Sequence, residues 1–468
     1  MKRLVVRLAI YVLIFAVFVG GIELYGFNRH QKDFYLNVRH EPVPSLQGVK
    51  VPQYNPHKPT VAVVMADSSI PTEDFDFLIP YTLFSMTNAY NVYAVAPDKN
   101  IKSLSGGLDV VPHYSYKELD QLLGKSPDIV VVPYMPIVDE KKYQPTREWI
   151  QKHSNEKTTF LSICGGSENL ADAGLLKGKS AASHWQAIPG LKKQYPDTHW
   201  VEDVRYVQEG NTLTTAGQSA GIDGVLHLIA QQLGEPMAAK ISKEINYPSY
   251  HFVQNPKVDQ PFYVDIKFAT YWLNLGFHWN KKQMGVLLYK GMEELALSSI
   301  FDSYGDTGTT QVITISNSDA PITTKHHLNI VARNQISNAP KLDKMIIPGG
   351  DAKSLAATDV RLWNEKANAK ETLLIHSDSP KRYVFEAPLE DLAKQEDLLT
   401  AKHAVKRFEY RANGIQLEGK PFPLETYGNV LLTGLLAFLV AFCIDRRFIR
   451  NLKVHLQVLF FYRYHSFL

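Results

Sequence analysis

Short apolar runs alternate with amphipathic segments through the first half of the chain. Buried strands are indicated at T-V-A-V-V-M-A, Y-N-V-Y-A-V-A-P and D-I-V-V-V-P, and helices between them at F-D-F-L-I-P-Y-T-L-F-S-M, Y-K-E-L-D-Q-L-L-G and R-E-W-I-Q-K-H. Continuous apolar strands separated by helices indicate a parallel sheet that is covered on both faces. The pattern therefore predicts an α/β domain over residues 58–246, in which ligands bind beyond the carboxyl ends of the strands.

A second set of segments repeats this order in the second half of the chain. The repeat consists of M-G-V-L-L-Y-K-G-M-E-E-L-A-L-S-S-I-F-D-S-Y, Q-V-I-T-I-S and D-K-M-I-I-P-G-G. Strand–helix–strand units resemble one another in general, but the matching order of the pieces favours a duplication. We interpret residues 282–420 as a degenerate second copy, a partial α/β domain. It has Ala296 opposite Asp76, and His376 or Ser377 near the turn where the first copy has Cys164.

Two apolar stretches, residues 4–25 and 427–444, are each about long enough to span a bilayer. Basic residues flank them: Lys2, Arg3 and Arg7 at the start of the first, and Arg446, Arg447, Arg450 and Lys453 after the second. The positive-inside bias predicts that both termini are cytoplasmic and that residues of about 27 to 425 are extracytoplasmic. Arg7 is expected to snorkel to the membrane surface. The first stretch is interpreted as an uncleaved anchor rather than a signal peptide, because no small-x-small cleavage site is evident.

These boundaries divide the chain into seven predicted segments. They are an N-terminal transmembrane anchor (1–26), a linker (27–57), the first domain (58–246), a linker (247–281, with Pro248, Pro256 and Pro261), the second domain (282–420), a transmembrane helix (426–445) and a basic, aromatic cytoplasmic tail (446–468). A tail that mixes bases with aromatic residues is typical of an interfacial helix.

The composition limits the classes of function. The chain has 468 residues, 45% of them hydrophobic, which is enough for two or three domains with filled cores. A formal net charge of +3, with acids and bases nearly balanced, gives no nucleic-acid footprint. The two cysteines are Cys164 and Cys443, and Cys443 lies inside the second apolar stretch, so an internal disulfide is excluded. An unpaired thiol in an exported domain is a candidate for reactivity.

Cys164 stands at the end of the strand K-T-T-F-L-S-I-C, and the following G-G-S leads into the helix S-E-N-L-A-D-A-G-L-L. Hydrolases place a serine nucleophile at such a strand–elbow–helix turn. A thiol there points at the helix N-terminus, whose free N–H groups and dipole favour the thiolate. The alternative is a small buried hydrophobe at a strand end, since free cysteine is among the most buried residue types.

Four segments in order make the first domain resemble the DJ-1/PfpI superfamily, which has the class I glutamine-amidotransferase-like fold. They are T-E-D-F-D-F-L-I-P-Y-T-L-F, F-L-S-I-C-G-G-S with A-D-A-G-L-L-K-G-K, A-A-S-H-W, and Y-V-Q-E-G-N-T-L-T-T-A-G-Q-S-A-G-I-D-G-V-L-H-L-I. The similarity covers residues 58–244 and looks closest to the DJ-1-like and isonitrile-hydratase-like branches and to the amidase-like domains of AraC-type regulators. It implies a flavodoxin-like parallel sheet sandwiched by helices. The second copy resembles only the first half of this fold.

The resemblance implies a catalytic set. Cys164 matches the elbow cysteine of the family, and Asp76 matches the acidic residue that hydrogen-bonds it. His184, in S-H-W, matches a nearby histidine that would serve as general base within hydrogen-bond reach. Each partner has an alternative: Asp76 as a charge on the helix dipole, and His184 as a structural loop histidine packed beside Trp185.

Two departures from the family pattern affect the chemistry. Gly165 follows Cys164 where protease-like members have a histidine, which argues against peptidase activity. Residues 133–136 are P-Y-M-P where relatives carry glycines that donate an N–H to an oxyanion. An oxyanion hole is expected from the N–H of Gly165 and that of Tyr134 or Met135.

These observations predict a membrane-anchored protein with cysteine-dependent hydrolysis or hydration of a small C–N or carbonyl compound. The alternative is a non-enzymatic ligand- or redox-sensing interaction module on the outer face of the membrane. No spaced metal ligands accompany the pair His326 and His327, and no phosphate-binding glycine loop is present, so no metal or cofactor is expected. The second copy and an apolar stretch stand where AraC-type relatives have a DNA-binding module, so nucleic acid is not an expected partner. Relatives often dimerise, which leaves a homodimer open.

Overall fold

The computed structural model describes residues 2–260, 263–366 and 369–464 of the chain. The linker residue Pro261 and the last tail residues, 465–468, lie outside these ranges. The side chains of the tail residues 448–464, with Arg450 and Lys453, also lie outside the described part.

Fifteen α-helices lie in the described ranges. They are α1 (Lys2–His30), α2 (Asp74–Met86), α3 (Tyr116–Leu123), α4 (Glu140–Lys152), α5 (Gly166–Asp172), α6 (Ile188–Gln194), α7 (Gln218–Leu233), α8 (Glu235–Glu244), α9 (Ile266–Phe277), α10 (Glu294–Ile300), α11 (Ala352–Leu355), α12 (Ala357–Glu365), α13 (Glu386–Gln395), α14 (Leu398–Arg407) and α15 (Leu424–Tyr464). Two π-helical turns, Gln31–Tyr35 and Phe301–Gly305, directly extend α1 and α10. Short 3₁₀ turns occur at Ser105–Gly107, Tyr250–Val253 and Ile336–Asn338.

The strands of the same ranges are short. They are β1 (Thr60–Val64), β2 (Asn91–Ala96), β3 (Lys102–Ser103), β4 (Asp109–Val111), β5 (Tyr114–Ser115), β6 (Ile129–Val132), β7 (Thr159–Ser162), β8 (Ser180–Ala181), β9 (His199–Trp200), β10 (Tyr206–Glu209), β11 (Thr212–Thr215), β12 (Lys282–Leu288), β13 (Thr310–Ser316), β14 (Ile322–Thr323), β15 (Asn329–Val331), β16 (Asn334–Gln335), β17 (Leu342–Ile346) and β18 (Ala369–Leu373).

The first domain is built on a seven-stranded sheet with the order β10-β11-β7-β6-β1-β2-β5. Six strands are parallel, and β1, β2 and β6 are fully buried, as the apolar runs predicted. The α/β class is confirmed. The edge strand β10 is antiparallel to β11, because only Gly210 and Asn211 connect the two and so short a connection forms a hairpin.

The second domain has a five-stranded parallel sheet with the order β16-β13-β12-β17-β18. Taken in chain order, its strands occupy the same places as β5-β2-β1-β6-β7 of the first sheet. A four-stranded antiparallel sheet, β14-β15-β4-β3, joins one hairpin from each domain, with Ile330 paired to Val110. The cores are continuous across this junction, where the Phe75 and Phe385 rings lie 5.2 Å apart.

The helices α1 and α15 are long and apolar enough to cross a membrane, by length and composition only. They pack antiparallel: the guanidinium of Arg7 donates to Asp445 at 2.6 Å, and Phe15 lies beside Gly434. Arg7 was expected to snorkel to the membrane surface; in the structure its guanidinium pairs with a carboxylate from the other helix. The predicted linkers also contain helix: α1 continues through His30 and the π-turn to Tyr35.

The helix α9 lies within the segment predicted as a linker at 247–281. It packs against α1, α14 and α15, and the Phe27 and Trp272 rings stack 5.3 Å apart. A Cβ at Gly26 would stand 2.3 Å from the Leu275 carbonyl oxygen, so only glycine allows this approach of α1 to α9. The aromatic residues of α9 therefore belong to a helix that packs against α1 and α15, and not to a linker.

Gly166, the first residue of α5, lies against the backbone of β6 at the Cys164 elbow. This close approach leads to a stability prediction. A Cβ at Gly166 would lie 2.0 Å from the Val132 carbonyl oxygen at the end of β6. Gly166→Ala should destabilise the protein by about 1–3 kcal/mol, because the backbone of β6 has no room to yield. The thermal midpoint of the detergent-solubilised chain measures this.

The control is Gly190→Ala, since nothing lies within 4 Å of a Cβ there and the residue is in helix α6. It should raise stability by up to about 1 kcal/mol. Equal midpoints for the two variants would show that the approach of α5 to β6 is not constrained as described.

Candidate functional site

Cys164 occupies the turn between β7 and α5 with a left-handed backbone, φ +51°. Its N–H donates to Thr215 Oγ1 at 3.2 Å, and its carbonyl accepts from Ser167 Oγ at 3.2 Å and Ser183 Oγ at 3.3 Å. A non-glycine residue in this conformation is strained and persists only when its surroundings fix it. Three hydrogen bonds from three segments do so here, which gives the sharp elbow of a nucleophile position.

Cys164 opens into a cleft of about 290 Å³ in which most of the predicted site residues meet. Its lining residues are Tyr35, Glu73, Asp76, Tyr134, Cys164, Gly165, Glu168, His184, Gln186, Ala187, Gln218 and Arg407. Asp76, Cys164 and His184 therefore share one cavity with Gly165 and Tyr134. Met135 is fully buried and does not line it.

Asp76 lies in the first turn of α2, behind the N-cap residue Glu73. Its Oδ2 accepts the Tyr134 N–H at 3.1 Å, while its Oδ1 is buried without a hydrogen-bond partner among the described residues. Burial raises the pKa of Asp76 well above its ordinary value, and the nearby Glu73 raises it further. Burial therefore favours the protonated form of this carboxyl group, which carries a proton that it can donate.

The thiol of Cys164 is not ionised in the resting site, contrary to the expectation from the helix dipole. Burial raises the pKa of Cys164 well above its ordinary value, and Asp76, Glu73 and Glu409 raise it further. The N–H of Gly165 donates toward the sulfur and opposes this effect. The seven-residue helix α5 stabilises a thiolate by less than burial near carboxyl groups destabilises it.

His184 does not act on the thiol in the resting site. Its ring contacts the backbone of Arg407, and no hydrogen bond joins it to Cys164 in the part of the chain described. Burial lowers the pKa of His184 to about 4, so the ring is neutral at pH 7. The Trp185 ring lies 5.7 Å away. The geometry places His184 on the cleft wall but not as the base.

The predicted second oxyanion donor is also engaged elsewhere. The Tyr134 N–H donates to Asp76, and the Met135 N–H donates to Asn169 Oδ1 at 3.0 Å. Neither is therefore free to receive an oxyanion, and the expected role of Tyr134 and Met135 is wrong for this geometry. The reason is the position of P-Y-M-P directly after β6. There the two backbone N–H groups meet acceptor side chains of α2 and α5.

Sequence reasoning missed a group of polar residues beside the cleft. Gln218 Nε2 donates to Glu73 Oε1 at 3.3 Å and to Asp302 Oδ1 at 2.9 Å. Arg407 Nη1 lies 3.1 Å from Asp302 Oδ1. Glu73 stands in the T-E-D segment, where no local pattern marks it as a cleft residue. Asp302 and Arg407 come from the second domain, and no local pattern connects them to Cys164.

Glu73, Asp74 and Asp302 are the described residues that could hold a metal ion. Each offers a carboxylate oxygen, and these oxygens lie within 4.8 Å of one another, all buried. Oxygen ligands of this kind suit a hard cation. Arg407 already supplies a positive charge to Asp302, and burial raises the pKa of Glu73 to about 8, so protons and a guanidinium compete for the same oxygens.

At the equivalent turn of the second domain, the described residues include His376 and Ser377, and Ser377 Oγ donates to the carbonyls of Gly349 and Gly350. Leu161 pairs with Val131, and Leu373 pairs with Ile346 in the same register, so His376 takes the place of Cys164. The Gly349 N–H donates to His376 Nδ1 at 3.0 Å, and Ser299 Oγ lies 3.0 Å from its Nε2. Both ring nitrogens are thus occupied. Burial lowers the pKa of His376 to about 4, which fits a neutral structural histidine.

Similarity to known proteins is concentrated in the first domain. Isonitrile hydratase from Pseudomonas putida is 28% identical over 182 residues, which cover 37% of this chain and 74% of the hydratase. The HTH-type transcriptional regulator CdhR from Pseudomonas aeruginosa is 36% identical over 97 residues, which cover 21% of this chain and 29% of the regulator. The chain thus spans less than a third of the length of that regulator.

Solved structures match parts of the chain with TM-scores below 0.5. DJ-1beta from Drosophila melanogaster is 18% identical with a TM-score of 0.35, over 40% of this chain and 98% of that one. A THiJ/PfpI family protein from Pseudomonas syringae is 22% identical with a TM-score of 0.36, over 47% of this chain and 86% of that one. The model of the DJ-1/PfpI family matches residues 59–231. These residues of the chain therefore form a DJ-1/PfpI domain.

Proposed function

We propose that the DJ-1/PfpI domain hydrates a small neutral molecule with a C–N multiple bond, of the isonitrile type, through Cys164. The observation that carries this proposal is that the Cys164 thiol and the Asp76 carboxyl line one cleft, where burial favours the neutral form of both and one oxygen of Asp76 has no partner among the described residues. The similarity of the domain to isonitrile hydratase supports the same reaction class.

The backbone N–H groups near Cys164 already have acceptors, which favours a substrate with a C–N multiple bond over an acyl substrate. Acyl transfer needs preorganised N–H donors for the oxyanion. The N–H groups of Tyr134 and Met135 already donate to side chains, and that of Gly165 donates toward the sulfur. Addition to a C–N multiple bond develops no oxyanion at the attacked carbon and needs a proton donor, which a protonated carboxyl supplies.

The reaction balances with these two groups and one water. The sulfur adds to the terminal carbon of R–N≡C, the proton of Asp76 moves to that carbon, and the thiol proton replaces it on Asp76. The product is a thioimidate, R–N=CH–S–Cys164. Water then adds to the same carbon, the nitrogen takes a proton, and the C–S bond breaks to give R–NH–CHO and the free thiol. No net charge is created in the cleft, which suits groups whose burial disfavours ionisation.

The charge of the cleft favours an uncharged substrate. Glu73, Asp76 and Glu168 line it, while the one lining guanidinium, Arg407, is paired with Asp302 and Asp306. An anion would meet carboxyl groups without a free cation to balance it, and its burial would cost several kcal/mol.

The second candidate is ligand sensing without turnover. Similarity to HTH-type regulators and the contact of the cleft with Tyr35, next to the apolar helix α1, favour it. The redox form of this hypothesis has less support, because peroxide attacks thiolates and the pKa of Cys164 is raised.

The membrane arrangement is part of the proposal: α1 and α15 anchor the protein, both termini are cytoplasmic and the two domains are extracytoplasmic. The antiparallel packing of these helices and the pairing of Arg7 with Asp445 support a hairpin of two spans. A charge pair between two lipid-facing helices lowers the cost of either charge alone.

Hydration of a simple isonitrile tests the reaction, with formamide as the measured product. Cys164→Ala should abolish turnover. Asp76→Asn should lower kcat by about 10²–10⁴-fold, because it removes the general acid while keeping the shape of the side chain. Cys443→Ala and Glu148→Gln, an exposed carboxyl on α4, should retain the parent rate. Full activity in Asp76→Asn would contradict the assigned acid. Absence of turnover together with a ligand-induced rise in thermal midpoint would favour sensing.

Alkylation of Cys164 by iodoacetamide in a Cys443→Ala background tests the state of the thiol. Because burial and three carboxyl groups raise its pKa, Cys164 should react more slowly than a free peptide thiol between pH 7 and 8. A parent rate above that of the peptide thiol would show that the sulfur is activated at rest.

A reporter fused to the C-terminus tests the topology. A reporter that works only in the cytoplasm should be active, since the basic residues after the second apolar stretch favour the inner side. A matched fusion after residue 45, beyond α1, should report an external location. The opposite pair of results would reverse the orientation.

A further inference from the structure

We propose that helix α9 and the segment just before it bind the surface of a phospholipid bilayer with anionic headgroups. The first domain would then lie against the membrane on the side where a wall of the Cys164 cleft is found. The proposal rests on the membrane arrangement proposed above and not on isonitrile hydration, and its test separates the two.

The first observation is the level at which α9 crosses the two apolar helices. Gly26, directly after the first apolar stretch, packs against the backbone of Leu275 in α9. The hydroxyl of Tyr427, where the second apolar stretch begins, lies 2.9 Å from Thr270 Oγ1 of α9. Both contacts lie at the same end of the apolar pair, where hydrocarbon would give way to lipid headgroups. This level is where an interfacial helix is expected.

The second observation is an exposed apolar patch around the ends of α9, which we call the interfacial patch. It consists of Tyr263, Val264, Ile266, Trp279 and Phe422. The Phe422 ring lies 5.9 Å from the Tyr427 ring, which links the patch to the start of α15. Outside α1 and α15, the other exposed large apolar side chains of the described ranges are scattered, at Val43, Val51, Leu122, Val138 and Leu355. Tyrosine and tryptophan beside aliphatic side chains are typical of the zone where a protein meets lipid headgroups.

The third observation is the charge beside the patch. A groove of about 700 Å³ opens next to Tyr263, and four basic residues line it against two acidic ones: Lys267, Lys402, Lys406 and Arg411, with Asp259 and Asp265. Asp265 pairs with both Lys267, at 2.9 Å, and Lys406, at 3.3 Å. A basic residue near an anionic membrane surface contributes about 1 kcal/mol to binding. The groove therefore complements the headgroups of the same lipids whose hydrocarbon the interfacial patch contacts.

The same charge makes a second copy of the chain a poorer occupant. In a symmetric dimer that used this surface, the basic groove of one copy would face that of the other. Like charges placed opposite each other would oppose the contact, whereas anionic lipid would be attracted.

The fourth observation connects the patch with the Cys164 cleft. The Phe268 ring of α9 lies 6.1 Å from the Trp185 ring, and the neighbouring His184 lines the cleft. Tyr35, another lining residue, ends the π-turn that continues α1. The surface that meets the bilayer is therefore continuous with the wall of the cleft.

Spin-label accessibility in the full-length chain tests the proposal, in nanodiscs of phosphatidylcholine and phosphatidylglycerol. Cys164→Ala and Cys443→Ala remove both native thiols, so that a nitroxide on Ile266→Cys reports the patch alone. Oxygen concentrates in lipid and a charged nickel chelate in water, so the ratio of their collision rates rises with lipid contact. This ratio should be higher for Ile266→Cys than for the matched control Val138→Cys, because the two native side chains are 61% and 59% exposed. If Ile266→Cys does not fold, Val264→Cys labels the same patch.

A label on Leu435→Cys, an exposed position within the second apolar stretch, separates this proposal from the membrane arrangement. A high ratio there, with equal ratios for Ile266→Cys and Val138→Cys, would leave the anchor in place and overturn the binding of α9 to lipid. A low ratio for Leu435→Cys would overturn both. Protection of Ile266→Cys from both reagents, with spin–spin broadening, would show a second copy on the patch and would also overturn the proposal.

The lipid composition tests the role of the groove. In nanodiscs of phosphatidylcholine alone the ratio for Ile266→Cys should fall, because the basic residues lose their anionic partners. An unchanged ratio would overturn the assignment of the groove to anionic headgroups. These measurements use a Cys164→Ala background, so a failure of the proposed hydration reaction would not alter them.

Discussion

Buried carboxyl groups outnumber the buried cations where the two domains meet, and this imbalance governs the site. Four carboxyl groups are buried here, those of Glu73, Asp76, Asp302 and Asp306, and the guanidinium of Arg407 pairs with two of them, Asp302 and Asp306. These groups are buried, so each uncompensated charge would cost several kcal/mol. Arg407 lowers the pKa of Asp306 to about 2 and leaves Glu73 and Asp76 to retain protons. The neutral thiol and the protonated acid follow from this balance.

The two domains meet through corresponding elements. Helix α2 packs on α10, and β4 pairs with β15, so the junction has an approximate two-fold relation between the two parallel sheets. One elbow holds Cys164 beside Asp76, and the other holds His376 bonded to Gly349 and Ser299. The surface of the first domain covered by β15 is not available to a second copy of the chain. The second domain thus covers this surface of the first domain within one chain.

Local signals predicted the parts of the site that are local. The apolar strands, the glycines after Cys164 and the resemblance of the T-E-D segment to a known family were enough for the elbow, the parallel sheet and Asp76. The thiolate was predicted wrongly because the helix dipole is visible in sequence, whereas burial beside Glu73 and Glu409 depends on tertiary structure. Arg407 was missed because it reaches the cleft from α14, and α9 because its aromatic residues were assigned to a linker.

The distance along the chain between Cys164 and Arg407 has a consequence for biosynthesis. Domains fold in order as the chain emerges, and contacts between remote segments form last. The elbow can form once the first domain is complete, but its ionic surroundings wait for α14, which precedes the second apolar helix. If the protein is exported as proposed, the Cys164 thiol lacks the charged groups of α14 in its surroundings until translocation is nearly complete. Maturation of the nucleophile would then be timed by export itself.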